Sequence, residues 1–227
     1  MIPITRADDE FFGTVLAAIR MGRVNRLLEH LSNRYEQEWD DPLAGFPYAL
    51  AMVAVLDYGS DSTWRRNSYN EVIETLGDLL YHFPDHWLGR YLRLRTRALV
   101  PLECEYPEFA AAERTRAAAD AEELIQRQAG EPWRPWFACT YLQAARLSWD
   151  SEQRDPGRTA ELIAAATAQP AEPIPFRSMT RLLGSGFFWY CGQPDVPRRA
   201  AAETLMLALF PDAKLGSYPP ARPTRVG

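Results

Sequence analysis

Residues 69–87 have the sequence YNEVIETLGDLLYHFPDHW. Their apolar side chains recur at intervals of three and four, the spacing that places side chains on one face of an α-helix. The residues of this face are Val72, Ile73, Leu76, Leu79 and Leu80. Pro84 follows them, and proline ends a helix because it disfavours helical geometry in the residue before it. The segment therefore predicts an amphipathic helix with a buried apolar face, capped by Ser68.

The same succession of helix and stop recurs along the chain. Helix ends are predicted near His82, Gln128, Ala168 and Phe210, and a proline follows each within a few residues. These ends lie about 40 residues apart, which is typical of a stack of helix hairpins. Residues 43–56 are apolar on all sides, so this helix is expected to be buried throughout. Since strand and hairpin signals are nearly absent, the sequence predicts an all-α protein with about ten helices.

Three local features make more specific predictions. Near the N-terminus, Asp8 or Asp9 is the expected cap of the first helix, because a carboxylate accepts hydrogen bonds from free backbone N–H groups. Residues 57–67 are polar and contain a glycine, so they are predicted to form a loop. Residues 174–191 are predicted to form a long apolar helix that the sequence Gly184-Ser185-Gly186 interrupts.

Residues 69–87 resemble the second helix of a tetratricopeptide repeat (TPR). In that family a helix ends in an apolar residue, a proline and an acid, and Phe83-Pro84-Asp85 matches this ending. The regions around Ala112, Ala119 and Gln169-Pro170 are similar in a looser form. The family's opening motif, Trp-x-x-Leu-Gly-x-x-Tyr, is not reproduced, because residues 87–91 hold these residue types at a different spacing.

The resemblance extends over about residues 44–210, and it implies a definite architecture. This architecture is a right-handed stack of about five antiparallel helix hairpins, a TPR-like superhelix. Residues 1–210 are accordingly predicted to form a single TPR-like domain. Residues 211–227 hold prolines at 211, 219, 220 and 223 and are predicted to form an extended, Pro-rich tail.

Composition and charge exclude several classes of protein. The chain has 227 residues, of which 47% are hydrophobic and 24% charged, and its net charge is −5. It is long enough to bury a sizeable core, and this composition excludes the disordered and collagen-like classes. A negatively charged protein is poorly suited to bind polyanions. Neither a nucleic acid nor a membrane is therefore expected as a partner.

The basic residues are nearly all arginine: the 25 of them comprise Lys214 and 24 arginines. A coding bias toward arginine would produce this ratio without a structural reason. Alternatively, some arginines hold carboxylates through their planar, two-pronged guanidinium, which lysine does not replace. Only the positions of the arginines decide between these explanations.

Metal, cofactor and catalytic motifs are missing from the sequence. Cys104, Cys139 and Cys191 are far apart and form no CxxC motif, which is typical of a reducing compartment. The first residues lack the apolar core of a signal peptide, so a cytoplasmic location is expected. His82 and His86 could bind one metal ion together only if they lay on one continuous helix, and Pro84 between them disfavours such a helix. No cofactor, metal ligand or catalytic residue is predicted.

The predicted helix that begins at Trp87 carries arginines on two faces. Arg90, Arg93 and Arg97 fall within an arc of about 60°, and such an arc predicts a solvated face. Arg95 falls among apolar residues, where an unpaired charge costs several kcal/mol. Two explanations remain open for Arg95. It either forms an internal salt bridge with an acid on a neighbouring helix, or it lines a groove and holds a carboxylate or a backbone carbonyl of a ligand.

In stacked hairpins the first helix of each pair lines the concave surface. On the predicted pairing, this surface carries arginines and aromatic side chains. The candidate binding residues are Tyr91, Arg95, Trp136, Tyr141, Gln143, Arg146, Arg177 and Arg181. Arg177 and Arg181 are four residues apart and would share one helix face. Such a groove suits an acidic or carboxylate-bearing peptide. The chain is therefore predicted to be a non-enzymatic adaptor that binds a protein or peptide segment.

A function of another class remains open. The seven tryptophans and the aromatic run at residues 187–190 could line an apolar pocket. The chain would then be a small all-α enzyme or accessory factor of specialised metabolism that acts on a peptide or an apolar small molecule. Core packing explains the same aromatic residues. A closed pocket that contains one acid of raised pKa would favour the enzyme, and an open groove would favour the adaptor.

Overall fold

Helices follow one another along the whole described chain. The computed structural model describes residues 1–38, 41, 43–58, 62–99, 107–150 and 154–213. Over these residues the protein is all-α, as predicted, with eleven helices and no β-strand. The helices are α1 Arg6–Arg20, α2 Val24–Gln37, α3 Gly45–Tyr58, α4 Ser62–His82, α5 Trp87–Ala98, α6 Pro107–Ala129, α7 Phe137–Trp149, α8 Pro156–Thr167, α9 Thr180–Leu183, α10 Ser185–Cys191 and α11 Arg199–Leu209.

The chain divides into two compact units, Met1–Asp120 and Ala121–Gly227, with the boundary inside α6. In the first unit, α3 packs against α1, α2, α4 and α5. In the second unit, α7 packs against α8 and α10, and α11 packs against the same two helices. Helices that are neighbours in the chain thus pack in pairs within each unit, as they do in helical-repeat proteins.

The last described residues follow α11 closely. The side chain of Phe210 is buried within the second unit, and its backbone carbonyl accepts a hydrogen bond from the N–H of Ala213 at 2.9 Å. The predicted extended tail begins at residue 211. Of this tail, residues 214–227 lie outside the described residues.

Helix α3 forms the centre of the first unit. Its sequence, GFPYALAMVAVLDY, offers no polar face that could point to water, and residues 49–54 are almost completely buried. The prediction of a helix buried on all sides is confirmed for these residues, whereas Leu43, which precedes the helix, is 45% exposed. No helix among the described residues is both long and apolar enough to cross a membrane.

Two helix starts differ from the predictions. Helix α1 is capped by Thr5, which forms a reciprocal capping box with Asp8, so Asp8 is the third residue of the helix and not its cap. Helix α4 begins at Ser62, whereas the sequence predicted a loop up to Ser68. No glycine or proline lies between residues 60 and 68, so this polar stretch contains nothing that stops a helix.

The segment 174–191 is not one interrupted helix. Residues 174–179 lie outside any helix, and α9 is a single turn that a break at Gly184 separates from α10. Prolines flank Ile174 on both sides, and its N–H donates to the carbonyl of Leu209 at 2.9 Å. Helical geometry is therefore disfavoured here, and the backbone donor is used by the end of α11.

His86 caps α5 from a buried position. Its Nδ1 accepts a hydrogen bond from the N–H of Gly89 at 3.0 Å, and the centroid of its ring lies 4.6 Å from that of Phe46. The backbone of Ile2 pairs with the backbone on either side of His86, at 2.8 and 3.2 Å. Burial lowers the pKa of His86 from its usual 6.5, and the charge of Asp8 opposes this shift. The cap is therefore held in its neutral form.

Acidification is expected to destabilise the protein through His86. Because the pKa is lower in the folded state, the unfolded state binds the proton more tightly, and the free energy of unfolding falls as the pH drops below about 6.5. His86→Asn keeps a capping acceptor that does not titrate. Urea unfolding between about pH 7.5 and pH 5 should therefore show a weaker pH dependence in the variant. Equal slopes for variant and wild type would contradict this role.

Candidate functional site

The candidate binding residues are divided between the two units. Tyr91 and Arg95 lie on α5 in the first unit, and the other candidates lie in the second. Their surroundings differ as much as their positions do. Most of them are buried, two are exposed, and one of the exposed residues lines a pocket.

Tyr91 and Arg95 are core residues. Tyr91 is fully buried, and its ring stacks on that of Trp87 with centroids 5.0 Å apart. Nη2 of Arg95 lies 2.8 Å from each carboxylate oxygen of Asp57 on α3. Of the two explanations for Arg95, the structure shows the internal salt bridge. The side chains of Tyr91 and Arg95 are therefore both inaccessible to a ligand.

The predicted solvated face of α5 is instead turned toward α6. Arg93 binds the Asp120 carboxylate with two prongs, Nε at 3.1 Å and Nη2 at 2.6 Å. Arg97 donates to the same carboxylate at 2.6 Å, and Nη1 of Arg90 lies 3.8 Å from it. Asp120 is only 4% exposed. The prediction of a solvated face was wrong because the sequence of α5 does not show that an acidic residue of another helix, Asp120, will lie opposite its arginines.

A second buried carboxylate, that of Glu113, lies about two helical turns before Asp120 on α6. It accepts hydrogen bonds from the Tyr69 hydroxyl and from Arg116, and Nε of Arg97 lies 3.3 Å away. Burial and the adjacent Glu113 carboxylate raise the pKa of Tyr69. The phenol therefore stays protonated and donates to Glu113. These contacts join α4, α5 and α6, which is a structural role.

In the second unit, the aromatic candidates pack against other rings. Trp136 is buried, with its ring centroid 5.3 Å from that of Phe176. Tyr141 is half-buried, and burial raises its pKa. The guanidinium of Arg146 is buried and lies over the ring of Trp189, 5.2 Å from its centroid. This cation–π contact satisfies the charge of Arg146 in part without any ligand.

Gln143 is fully buried on the face of α7 that meets α10. Neither atom of its amide has a hydrogen-bond partner among the described residues. Gly186 lies directly against it: a Cβ added to Gly186 would be 2.7 Å from Oε1 of Gln143 and 2.9 Å from its backbone nitrogen. The glycine interruption thus permits close helix packing.

Arg177 and Arg181 are both exposed, but they do not share a helix face. Arg177 precedes the short helix α9, which contains Arg181. The predicted pair was wrong because the prolines before Arg177 keep its segment out of a helix. Among the described residues, no ion pair involves the Arg177 guanidinium. It is therefore a charge that can bind a ligand.

Arg177 lines a pocket of about 180 Å³ in the second unit. The pocket lies between the segment before α9 and the residues that follow α11. Its lining residues are Pro173, Ile174, Pro175, Arg177, Thr180, Phe210, Pro211, Asp212 and Ala213. Its floor includes the buried side chains of Ile174 and Phe210. Apart from Arg177, none of these residues was predicted to bind a ligand. The pocket lies where the backbone N–H of Ile174 donates to the carbonyl of Leu209, and residues so far apart in the chain give no indication of each other in the sequence.

The described cysteines are not nucleophiles in this environment. Cys139 and Cys191 are buried free thiols, and burial raises the pKa of both, that of Cys191 to about 12. Such thiols are almost entirely protonated at neutral pH. Cys104 lies outside the described residues. Within the described part of the chain, no group of three or more His, Cys, Asp or Glu side chains could hold a metal ion.

Comparisons with protein-family models, with curated proteins and with solved structures found no match for this chain. The all-helical architecture and the pairing of neighbouring helices agree with a helical-repeat protein. Membership of the TPR family stays a prediction.

Proposed function

We propose that this chain is a non-enzymatic adaptor that binds a carboxylate-bearing peptide segment in the Arg177 pocket. The observation that carries the proposal is the Arg177 guanidinium, which has no ion pair among the described residues and stands at an apolar pocket. A guanidinium binds a carboxylate through two parallel hydrogen bonds, which gives both affinity and orientation.

The remaining lining supports a peptide end as the ligand. Ile174 and Phe210 offer apolar contacts to the last side chain of the peptide, and the flanking prolines are rigid. Asp212, on the same pocket, repels a carboxylate but accepts hydrogen bonds from backbone N–H groups of a peptide. The ligand carboxylate is therefore expected to lie beside Arg177, with the peptide backbone toward Asp212.

The size of the Arg177 pocket favours one terminal residue of a peptide over a whole small molecule as the occupant of this site. Its volume of about 180 Å³ is below the range of about 300–1,000 Å³ that is typical of small-molecule sites. One terminal residue fits such a space, while the rest of the peptide lies outside it.

Peptide binding is expected to depend on both the carboxylate and Arg177. The probe is a fluorescein-labelled peptide ending in Ala-Leu, with either a free carboxylate or a C-terminal amide. The free acid should bind more tightly, and Arg177→Gln should weaken it by about fivefold, since an exposed charged hydrogen bond contributes modestly. Fluorescence anisotropy measures both effects, and mass spectrometry should recover the peptide unchanged.

The matched control is Arg199→Gln, which removes the same charge from an exposed site in the second unit, where Arg199 pairs with Glu203. Its affinity for the free acid should stay close to that of the wild type. Equal binding of the acid and the amide, or an equal effect of the two substitutions, would contradict the proposed site.

The finer architecture is also part of the proposal. Pairwise packing of neighbouring helices supports the hairpin pairing on which the predicted right-handed, TPR-like stack rests. Small-angle X-ray scattering tests it, because an extended stack has a larger radius of gyration than a globular domain of this length. A globular value would contradict the stack.

A cytoplasmic location belongs to the same proposal. It is supported by the cysteine pattern, since three widely spaced cysteines without a CxxC motif suit a reducing compartment. A fluorescent fusion of the full chain tests the location by microscopy.

A further inference from the structure

A groove of about 400 Å³ lies in the first unit, between α2, α3 and α4. It is separate from the Arg177 pocket, which belongs to the second unit. Its lining residues are Asn25, Leu28, Glu29, Ser32, Tyr48, Met52, Ser68 and Glu71. Asn25, Leu28 or Glu29, and Ser32 follow one another at three or four residues on α2, and the lining pairs of α3 and α4 are four and three residues apart, so each helix contributes one face to the groove. No described lysine, arginine or histidine lines it.

The groove combines an apolar floor with polar walls. Leu28, Tyr48 and Met52 are buried and form the apolar part. Ser68 is only 3% exposed and lines the groove, yet its hydroxyl has no hydrogen-bond partner within the described part of the chain. The Ser68 hydroxyl is therefore available to a ligand that enters the groove.

The charge of the groove is negative. Glu29 and Glu71 line it, and neither carboxylate forms an ion pair with any described residue. Glu71 accepts a hydrogen bond from the Tyr48 hydroxyl. Burial, the hydrogen bond to Glu71 and the negative charges of Glu71 and Glu36 raise the pKa of the Tyr48 hydroxyl. A cation placed there would meet two carboxylates without competition from a basic side chain of the described chain.

We propose that this groove binds an arginine side chain of a partner protein. The aliphatic stem of arginine would lie along Leu28 and Met52, as such stems do on apolar surfaces. Its guanidinium has five N–H donors in a fixed plane. These match acceptors that are spread around the groove, namely Glu29, Glu71 and the Ser68 hydroxyl. A lysine ammonium has fewer donors and is a point charge, so it would satisfy this set less completely.

The probe for this proposal is a fluorescein-labelled peptide of arginines separated by Gly-Ser pairs. The same peptide with citrulline in place of each arginine keeps the shape and removes the charge. The wild-type protein should bind the arginine peptide and bind the citrulline peptide much more weakly. Raising the salt concentration should weaken the arginine complex, because exposed ion pairs are screened.

The double variant Glu29→Gln/Glu71→Gln should bind the arginine peptide about tenfold more weakly than wild type. Glutamine at position 71 still offers an acceptor to the Tyr48 hydroxyl, so folding should be kept, as circular dichroism would check. The control Glu10→Gln/Glu161→Gln changes the net charge equally at exposed sites outside the groove. It should bind within about twofold of wild type.

Three results would overturn the proposal: no binding of the arginine peptide by wild type, equal binding of the citrulline peptide, or equal effects of the two double variants. The Arg177→Gln variant should bind the arginine peptide normally. The failure of this groove is therefore distinguishable from the failure of the Arg177 pocket.

Discussion

Replacing Asp120 with asparagine is expected to lower the free energy of unfolding by about 3 kcal/mol. The carboxylate is 4% exposed and holds Arg93 and Arg97 through hydrogen bonds of 2.6–3.1 Å, with Arg90 at 3.8 Å. Asparagine has nearly the same shape but no charge. The arginines on α5 would therefore lose their common counter-ion at a site where water solvates their charges poorly. The value lies at the lower end for a broken buried pair, because Arg93 and Arg97 keep some contact with water.

Urea unfolding measures this effect as a lower midpoint with an unchanged slope. The control is Glu122→Gln on the same helix, whose carboxylate pairs with Arg158 at an exposed site. It should change stability by no more than about 0.5 kcal/mol. A loss below about 1 kcal/mol for Asp120→Asn would show that the cluster contributes no more than a surface ion pair.

The second large effect is expected for Gly186→Ala, which should destabilise the protein by about 2 kcal/mol. The added Cβ would lie 2.7 Å from Oε1 of Gln143, 2.9 Å from its backbone nitrogen and 3.1 Å from its Cα. A side-chain oxygen can move away, but the backbone of α7 can do so only if the whole helix shifts. Overpacking against this backbone therefore outweighs the better helix propensity of alanine.

Gly77→Ala is the matched control, because a Cβ at Gly77 meets no atom within 4 Å. Gly77 lies inside α4, so alanine should stabilise the protein there by about 0.5–1 kcal/mol. Thermal unfolding should thus give shifts of opposite sign for the same chemical change. A stabilising effect at both positions would mean that α7 and α10 do not approach as closely as the structure shows.

The preference for arginine over lysine has a structural reason at several positions. Arg93 binds Asp120 with Nε and Nη2 together, and Arg97 bridges Asp120 and Glu113. A lysine at either position could not reach both acceptors in the same geometry. Of the two explanations for the arginine excess, the planar guanidinium accounts for these residues.

Much of the fold was predictable because helix signals are local. The apolar spacing of Val72, Leu76 and Leu79 is set within a few turns, and all three are buried as predicted. The same reasoning placed α3 in the core. It failed where a polar stretch contained no helix breaker, as before Ser68, and where prolines and a distant backbone acceptor kept Ile174 out of a helix.

The candidate site was less predictable than the fold. Tyr91, Arg95 and Gln143 lie on helices that the sequence located well, but they face the interior. Of the predicted binding residues, Arg177 lines the pocket in the second unit. The sequence predicted a helix at Arg177, and the structure has none there. The helix positions were therefore better predicted than the faces they present.

The sequence by itself determined that this protein is helical, that helices end near residues 82, 128, 168 and 210, and which side of α4 is apolar. These properties depend on residues a few positions apart, which interact in any context. Only the tertiary structure decided that Asp120 meets Arg93 from 27 residues away, that Gly186 meets Gln143, and that Arg177 stays without an ion pair among the described residues. The physical reason is that the free energy of a buried charge or a close packing contact depends on the helix opposite, and the residues of a single helix do not specify that partner.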